Sequence, residues 1–321
     1  MSTAPRPGTG PVVALCGGVG AARFLRGLVR VVAPEDVIAV VNTGDDREFY
    51  GVHVSPDLDI VTYTLAGVVD TAQGYGLAGD TYALMNELEA LGHETWFRLG
   101  DRDLALCLHR TLRMRDGVGL AAITQELAER HGLAVSLLPM SEQPCPTRVV
   151  LKDGRLLHFE EYMIRERAPD AVERVDLSAA ANAKPSPGVL EAIRTARVIL
   201  FCPSNPVVSI GPILAVEGIR DAVAASAAPK LAVSPIVGGA AIKGPASQLL
   251  RGIGVEVSAL GVARHYRELI DGFVFDERDH ELAKSIADLS LRVRVTDTMM
   301  VDANASARLA AQVLELAGEC A

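Results

Sequence analysis

Short β-branched runs alternate with longer helical patterns along most of this chain of 321 residues. Parallel strands of one sheet cannot be joined by a tight turn, so each pair needs a crossover connection, which is usually a helix. The alternation provides such a connection after nearly every short run. The sequence therefore predicts an α/β fold with a doubly wound, mostly parallel, Rossmann-like sheet.

Hydrophobic periodicity, capping residues and turn residues predict the individual elements. Strands are predicted at 12–16, 37–41, 94–97, 134–138, 198–202, 230–234 and 255–257. Helices are predicted at 21–32, at 80–91 with Asp80 as the cap, at 120–131, from about 213, from 245, and at 304–317. A β-hairpin is predicted at 147–151 and 156–164, joined by Asp153 and Gly154.

The predicted domain organisation is simple. A polar, Ala-rich stretch at 176–187 is typical of a linker or an exposed crossover. With the hairpin before it, this stretch indicates a smaller inserted α+β subdomain at about 145–185. We expect this subdomain to interrupt a single α/β domain at 12–321, preceded by a disordered N-terminus at 1–11.

Charge and cysteine spacing argue against several classes of protein. Lys and Arg number 31 against 40 Asp and Glu, which gives a net charge of −9. This balance argues against broad binding to nucleic acids or to anionic membranes. The five cysteines show no C-x-x-C or zinc spacing, and the longest uncharged stretch, 198–216, contains three prolines. We therefore expect a cytoplasmic protein with reduced thiols and without a signal peptide or membrane span.

A glycine-rich turn joins the first predicted strand to the first helix. Gly17, Gly18 and Gly20 would let the backbone approach a phosphate at the positive end of that helix. The dinucleotide fingerprint needs a third glycine where Arg23 stands and an acid where the second strand ends in Asn42. A nicotinamide oxidoreductase is therefore disfavoured, and Arg23 suggests a second contact to phosphate. The alternative is a tight turn without a ligand.

Four aspartates lie within fifteen residues after the second predicted strand: Asp45, Asp46, Asp57 and Asp59. The carboxyl end of a strand is where α/β sheets place their ligands. Carboxylates on loops could hold Mg²⁺, which takes one or two of them and completes its shell with water and phosphate oxygens. The alternative is that these side chains cap helices and turns, particularly Asp59 at a predicted helix start.

Arg102 stands between two acids in the segment LGDRD, after another short predicted strand. Its guanidinium could be a rigid bidentate donor or could form an ordinary surface ion pair. The pattern by itself favours the ion pair.

Two further loops add hydrogen-bond donors at the same sheet edge. Ser204, Asn205 and Ser209 lie in a turn with three prolines after one predicted strand, and Ser234 follows the next strand. Lys243 is nearby in the sequence. Together with the glycine turn, these loops form three donor-rich elements, unless they are only connections between strands and helices.

Other catalytic patterns are missing from the sequence. The seven histidines show neither H-x-H nor H-E-x-x-H spacing, and neither a G-x-S-x-G elbow nor a P-loop occurs. The residues alone therefore indicate a magnesium-assisted α/β protein that handles phosphate.

In order along the chain, these segments closely resemble the 2-phospho-L-lactate transferase family of deazaflavin coenzyme F(420) biosynthesis. The likeness runs from about residue 12 to residue 280, and several matching blocks are long. The blocks are GGVGAARFLRGL from Gly17, VNTGDD from Val41, SPDLD from Ser55, LAGD from Leu77, WFRLGDRDLA from Trp96, LLPMSE from Leu137, PSNPVVSIGPIL from Pro203, SPIVGG from Ser234 and KGPA from Lys243.

The resemblance implies a reaction. Family members transfer a phosphorylated three-carbon acid from its guanosine diphosphate ester to the terminal ribityl hydroxyl of the deazaflavin Fo, release GMP and need Mg²⁺. It also implies a homodimer. The acid, whether 2-phospholactate, phosphoenolpyruvate or 3-phosphoglycerate, stays open. Phosphoryl transfer needs positioning and charge neutralisation, which agrees with the glycine turn and the aspartates.

The resemblance also implies roles for residues. Asp45 and Asp59 would hold the metal, with Asp57 as an alternative for either. Asp59 and Arg102 match positions that face the deazaflavin. One of the four aspartates would deprotonate the acceptor hydroxyl. The residues implied to surround the guanosine diphosphate moiety are Gly18, Gly20, Arg23, Ser204, Asn205, Ser209 and Ser234.

One departure and one rival bear on the function. The segment 143–147, after LLPMSE, differs from the family pattern, and because it could touch the three-carbon acid the donor stays open. The rival is a non-catalytic regulator that binds nucleotide sugars, from a distant branch of the same superfamily. That branch lacks the SPDLD, GDRD and PSNPVVSIGPIL blocks, which disfavours it here.

Overall fold

The computed structural model describes residues 10–321. The strands are β1 (Val12–Cys16), β2 (Val37–Val41), β3 (Arg47–Phe49), β4 (Val52–Val54), β5 (Ser136–Pro139), β6 (Arg148–Leu151), β7 (Leu156–His158), β8 (Val172–Asp176), β9 (Val198–Phe201), β10 (Lys230–Val233), β11 (Ile236–Val237), β12 (Ala240–Ala241), β13 (Gly272–Asp276) and β14 (Arg292–Thr296). The α-helices are α1 (Gly18–Leu28), α2 (Pro56–Leu65), α3 (Ala83–Ala90), α4 (Asp101–Arg115), α5 (Leu120–Arg130), α6 (Ser178–Ala181), α7 (Val189–Thr195), α8 (Gly211–Ala215), α9 (Ile219–Ala225), α10 (Ala246–Gly252), α11 (Ala259–Tyr266), α12 (Ala283–Ala287) and α13 (Ala303–Cys320). Two 3₁₀ turns (Pro34–Asp36, Glu277–Leu282) and two π-helical turns (Glu161–Arg165, Pro206–Ile210) complete the secondary structure.

Seven parallel strands form the central sheet, in the order β14-β13-β10-β9-β1-β2-β5. The chain builds outward from β1 through β2 to β5, then returns to β9 and builds in the opposite direction. The two directions meet between β1 and β9, which pair from Val12 with Val198 to Leu15 with Phe201. This arrangement confirms the predicted doubly wound, Rossmann-like sheet and gives it a topological switch point.

Helices cover both faces of this sheet. Every residue of β1 is fully buried, with Val13 and Leu15 in one apolar core and Val12 and Ala14 in the other. The second core includes α1 and the C-terminal helix α13, which pack against each other. Burial of apolar surface on both faces explains why the central strands are short and β-branched.

A separate three-stranded antiparallel sheet, in the order β7-β6-β8, lies within the range of the predicted inserted subdomain. The predicted hairpin is present, with Arg148 opposite His158. Its second strand was predicted too long, because the chain leaves β7 after His158 and enters the π-helical turn. That turn buries Tyr162 against the core. The predicted linker at 176–187 contains α6 and buries Ala180, so it is packed and not an exposed crossover.

Two predicted strands are wrong, and two strands of the central sheet were not predicted. Residues 94–97 form no strand, because Phe97 stacks on Phe49 at 3.9 Å in a small aromatic cluster. Residues 255–257 also form no strand; Val255 and Val257 pack against the core from a loop. The unpredicted strands β13 and β14 extend one side of the central sheet.

The predicted disordered N-terminus lies outside the described residues, apart from Gly10 and Pro11. The Pro11 carbonyl accepts a hydrogen bond from the Arg197 amide at 2.9 Å. Among the helices of residues 10–321, none combines the length and the apolar character that a membrane crossing requires.

Candidate active site

The glycine turn between β1 and α1 is packed against two neighbouring loops. A Cβ on Gly17 would lie 2.4 Å from Asp57 Oδ2, and one on Gly20 would lie 2.3 Å from the Pro203 carbonyl oxygen. Gly18 has a φ of +76°, in the left-handed region that favours glycine. Its amide donates to Asp57 Oδ1 at 2.7 Å. The turn therefore allows close approach, but a carboxylate of the protein already uses one of its amides.

Asn42, directly after β2, holds two aspartates together. Its Nδ2 lies 2.9 Å from Asp57 Oδ2 and 3.2 Å from Asp45 Oδ1, and it also contacts the Val208 carbonyl at 3.3 Å. Its Oδ1 accepts from the Gly44 amide at 2.9 Å. In the sequence, Asn42 only disfavours a nicotinamide site; in the structure it orients the acidic pair.

Asp45 and Asp57 are 5% and 4% exposed and form no ion pair with a Lys or Arg of residues 10–321. Burial raises the pKa of Asp57 to about 6. Burial, together with the charges of Asp57 and Glu160, raises the pKa of Asp45 well above its usual value. Buried carboxylates that repel each other and lack a counter-charge fit a divalent cation with oxygen ligands. The residues present therefore suit Mg²⁺.

Glu160 is a third buried carboxylate here, and it is not among the site residues predicted from the sequence. It follows β7, is 2% exposed, and its Oε2 has no hydrogen-bond partner. Burial, and then the charge of Asp57, raises its pKa to about 8. In the sequence, Glu160 is only an acidic residue at the end of an apolar run. That pattern does not show that the antiparallel sheet places Glu160 beside the acids of the central sheet.

Glu160 gives a testable pH dependence. Its pKa is about 8 in the folded protein and its usual value is 4.5, so the folded state binds more protons between these pH values. The free energy of unfolding of the metal-free protein should therefore fall as pH rises through this range. Glu160→Gln should raise the melting temperature at pH 8 by about 2–4 °C and should change it little at pH 5.

Calorimetric melting in EDTA at both pH values checks this prediction. Glu173→Gln, at an exposed position on β8, is the matched control and should melt like the wild type at both pH values. Equal melting temperatures for Glu160→Gln and the wild type at pH 8 would contradict it.

Asp59 lies in a different environment from Asp57, although both belong to the first turn of α2. Residues two apart on a helix are about 200° apart around its axis. Both carboxylate oxygens of Asp59 bind the guanidinium of Arg110, one of them at 3.1 Å. Arg110 is 2% exposed and also contacts the His53 carbonyl. Asp57, rather than Asp59, therefore shares the Asn42 amide with Asp45, and the expected metal pair of Asp45 and Asp59 stays a prediction.

Asp59, Asp103 and Cys107 are the one group of three potential metal ligands within 4.8 Å of one another in residues 10–321. Arg110 already neutralises Asp59, and Tyr63 donates to Asp103 Oδ1 at 2.7 Å. Burial and the charge of Asp59 raise the pKa of Asp103 to about 7. This cluster is therefore satisfied by the protein itself, and we infer no metal there.

Arg102 is exposed at the start of α4. Its side chain contacts the Ala78 carbonyl at 3.3 Å and pairs with no carboxylate of residues 10–321, so the ion pair favoured by the pattern is wrong. The acids around it cap helices instead. Asp80 accepts from the amides of Arg102 and Asp103, and so caps α4 and not the helix predicted to follow it. Asp101 caps that other helix, α3, by accepting from the amides at its start.

The predicted loop residues follow β9 and β10 at the same sheet edge, and protein groups already bind the side chains of Ser204, Asn205 and Ser234. Ser204 Oγ donates to the Gly17 carbonyl at 2.9 Å, and Asn205 Oδ1 accepts from the Val207 amide at 2.9 Å. Ser234 Oγ donates to the Ile236 carbonyl at 2.9 Å. Ser209 is buried, and its Cβ would lie 3.0 Å from a Cβ on Gly17. These residues therefore fix the conformation of the loops at this edge of the central sheet.

A cavity of about 690 Å³ lies beside this acidic edge. It is bordered by Asp46 and Arg47 on one side and by the antiparallel sheet on the other. Pro144 and Pro146, from the segment that departs from the family pattern, form part of its wall. A small substrate group could therefore lie next to Asp46.

The fold and the site together define a class: a Rossmann-like α/β protein with buried carboxylates at the topological switch point. The family model "2-phospho-L-lactate transferase CofD" matches residues 12–316. The chain belongs to this family. It is a CofD-type transferase of coenzyme F(420) biosynthesis that acts on a phosphorylated substrate.

Individual relatives agree with this assignment. The chain is 46% identical to a phosphoenolpyruvate transferase of Kitasatospora aureofaciens, over 95% of this chain and 97% of the relative. It is 36% identical to a 2-phospho-L-lactate transferase of Methanosarcina mazei, over 95% and 99%. A solved structure of the upf0052 family from Bacillus halodurans has a TM-score of 0.61 at 20% identity, over 95% of this chain and 98% of that one. This last likeness supports the fold alone.

Proposed function

We propose that this enzyme transfers a phosphoenolpyruvyl group from its guanosine diphosphate ester to the terminal ribityl hydroxyl of Fo, with release of GMP and with Mg²⁺. The observation that carries the proposal is the buried pair Asp45 and Asp57 at the switch point, without a Lys or Arg counter-charge in residues 10–321. A cation there would stand between these carboxylates and the phosphate oxygens of the donor.

The choice of acid rests on the relatives. Phosphoenolpyruvate transferases are 46% and 44% identical to this chain, against 36% for the 2-phospho-L-lactate transferase of Methanosarcina mazei. The segment 143–147 lies at the cavity beside Asp46 and is the part of the chain we expect to contact the acid. The esters of 2-phospholactate and 3-phosphoglycerate are the competing donors.

In this proposal the acceptor oxygen forms a bond to the phosphorus that carries the acid, the bond from that phosphorus to GMP breaks, and the hydroxyl proton passes to a carboxylate. Bound Mg²⁺ would neutralise charge on the transferred phosphoryl group. Asp45 and Asp57 would hold the cation, and Asn42 keeps both carboxylates oriented. Preorganised groups of this kind need little rearrangement during the reaction.

The acceptor is proposed to contact Arg102 and Asp59. The Arg102 guanidinium is exposed and has no carboxylate partner in residues 10–321, so it can bind a ligand. The two terminal guanidinium nitrogens of Arg110 hold the Asp59 carboxylate in one orientation. Asp59 would therefore act as a fixed hydrogen-bond acceptor for a hydroxyl or ring N–H of the deazaflavin. A homodimer and a cytoplasmic location stay part of the proposal, testable by light scattering and by cell fractionation.

The deciding experiment is a product assay. The protein is incubated with Fo, Mg²⁺ and each of the three donor esters in turn, and GMP and the Fo product are followed by liquid chromatography with mass spectrometry. We expect GMP release in step with an Fo phosphodiester, with the phosphoenolpyruvyl ester turned over fastest. Faster turnover of another ester would identify that ester as the donor in place of the phosphoenolpyruvyl ester. Nucleotide binding without turnover of any ester would favour the regulator, and NADH oxidation would contradict both.

A further inference from the structure

Two cations lie near each other, one of them on the helix that follows the glycine turn. Arg23 lies on α1, and Lys243 lies in the loop between β12 and α10. Burial and the positive charge of Arg23 both lower the pKa of Lys243. Neither side chain has a carboxylate within ion-pair distance among residues 10–321. Like charges held together without an anion are unfavourable, so the pair is suited to a ligand that supplies one.

The chain segment 70–76 lies over these cations, and the groups with which it contacts Lys243 are uncharged. The Lys243 Nζ lies 3.5 Å from the Gln73 carbonyl oxygen and 5.9 Å from the centre of the Tyr75 ring. A Cβ on Gly74 would lie 3.0 Å from the same Nζ and 3.9 Å from Arg23 Nη2. A carbonyl and an aromatic face bind an ammonium group far more weakly than a phosphate does, so an anion would compete well for Lys243.

The start of α1 does not supply the whole phosphate site. Its Gly18 amide is already bound to the Asp57 carboxylate, and that negative charge offsets the positive end of the helix. A diphosphate at this edge therefore needs positive charge from side chains. Arg23, on the helix that follows the turn, and Lys243 could supply it, since neither has a carboxylate within ion-pair distance among residues 10–321.

We infer that Arg23 and Lys243 form a two-pronged anion site that binds the diphosphate of the donor, and that the 70–76 segment releases Lys243 when the anion enters. The identity of the anion as a guanosine diphosphate moiety rests on the proposed function; the anion site itself does not. Lys243 has no role assigned by the family resemblance.

Calorimetry with three probes tests the site: GDP, pyrophosphate and guanosine. Arg23→Ala and Lys243→Ala should each weaken GDP and pyrophosphate binding about tenfold, while Lys243→Arg should stay within about threefold of the wild type. Guanosine affinity should not change. Lys284→Ala, which removes an exposed lysine on α12, is the matched control and should bind all probes like the wild type.

The outcomes separate this inference from the proposed function. Wild-type GDP and pyrophosphate affinity in both alanine variants would overturn the anion site, even if turnover of the donor is confirmed. If the wild type binds pyrophosphate but not GDP, and the variants lose pyrophosphate, the anion site stands and the proposed donor fails.

Hydrogen exchange tests the movement of the 70–76 segment. The Gly74 amide donates to the Asp70 carbonyl at 2.7 Å, and the Asp70 amide donates to the Gly76 carbonyl at 2.9 Å, so both are protected. GDP should change their exchange in the wild type and should not do so in Lys243→Ala. Identical exchange with and without GDP in the wild type would overturn the release of Lys243.

Discussion

Asp45→Asn and Asp57→Asn are each expected to lower turnover by about 10²-fold or more and to raise the Mg²⁺ concentration needed for half-maximal activity. Each change removes one proposed anionic ligand and nearly preserves shape, so a cation would no longer be held where charge develops on the phosphoryl group. In EDTA, Asp45→Asn should melt at or above the wild-type temperature, because one of several repelling buried carboxylates has gone. GMP release across a Mg²⁺ titration and calorimetric Mn²⁺ binding measure both effects.

Two further variants make this test specific. Asp116→Asn, at an exposed position after α4, is the matched control and should leave turnover and Mg²⁺ dependence unchanged. Asp59→Asn should lose stability without a change in Mn²⁺ affinity, because its carboxylate binds Arg110. Wild-type Mg²⁺ dependence in both Asp45→Asn and Asp57→Asn would show that these aspartates only cap turns.

Arg110→Met is expected to lower the free energy of unfolding by about 3–5 kcal/mol, the largest stability effect we anticipate from a single side chain. The guanidinium is 2% exposed and binds both oxygens of Asp59, so its removal leaves a buried carboxylate without a partner. Asp103 and Cys107, which lie against the same carboxylate, cannot replace the lost positive charge. Urea denaturation followed by circular dichroism measures the change.

Arg113→Met, three residues along α4, is the matched control. Its ion pair with Glu126 is more than a third exposed on both sides, so its loss should cost about 1 kcal/mol or less. The double change Arg110→Met with Asp59→Leu should recover much of the lost stability, because replacing a buried pair by apolar residues is often nearly neutral. Equal losses for Arg110→Met and Arg113→Met would mean that burial of the Asp59 pair has no special effect.

Local sequence accounts for the central sheet at several points. β1 and β2 have the predicted limits, 12–16 and 37–41, because each is a short buried run bounded by turn or capping residues. The Gly17–Gly18–Gly20 turn was also predicted, since only glycine allows the close packing found there. The two wrong strands, at 94–97 and 255–257, are short segments with two apolar side chains each, and those side chains pack into clusters without strand pairing. A run of that length does not distinguish the two outcomes.

By itself, the sequence determined the α/β class, the doubly wound order of elements, the family, and the aspartates from which the site is drawn. Only the tertiary structure decided which of those acids meet. Asp57 and Asp59 are two residues apart, yet Asp57 binds Asn42 and Asp59 binds Arg110, because the helix turns the two side chains to different sides. Glu160 reaches the cluster from a separate sheet. Whether two charged groups interact depends on the distance between them in space. The sequence specifies that distance only through the folding of the whole chain.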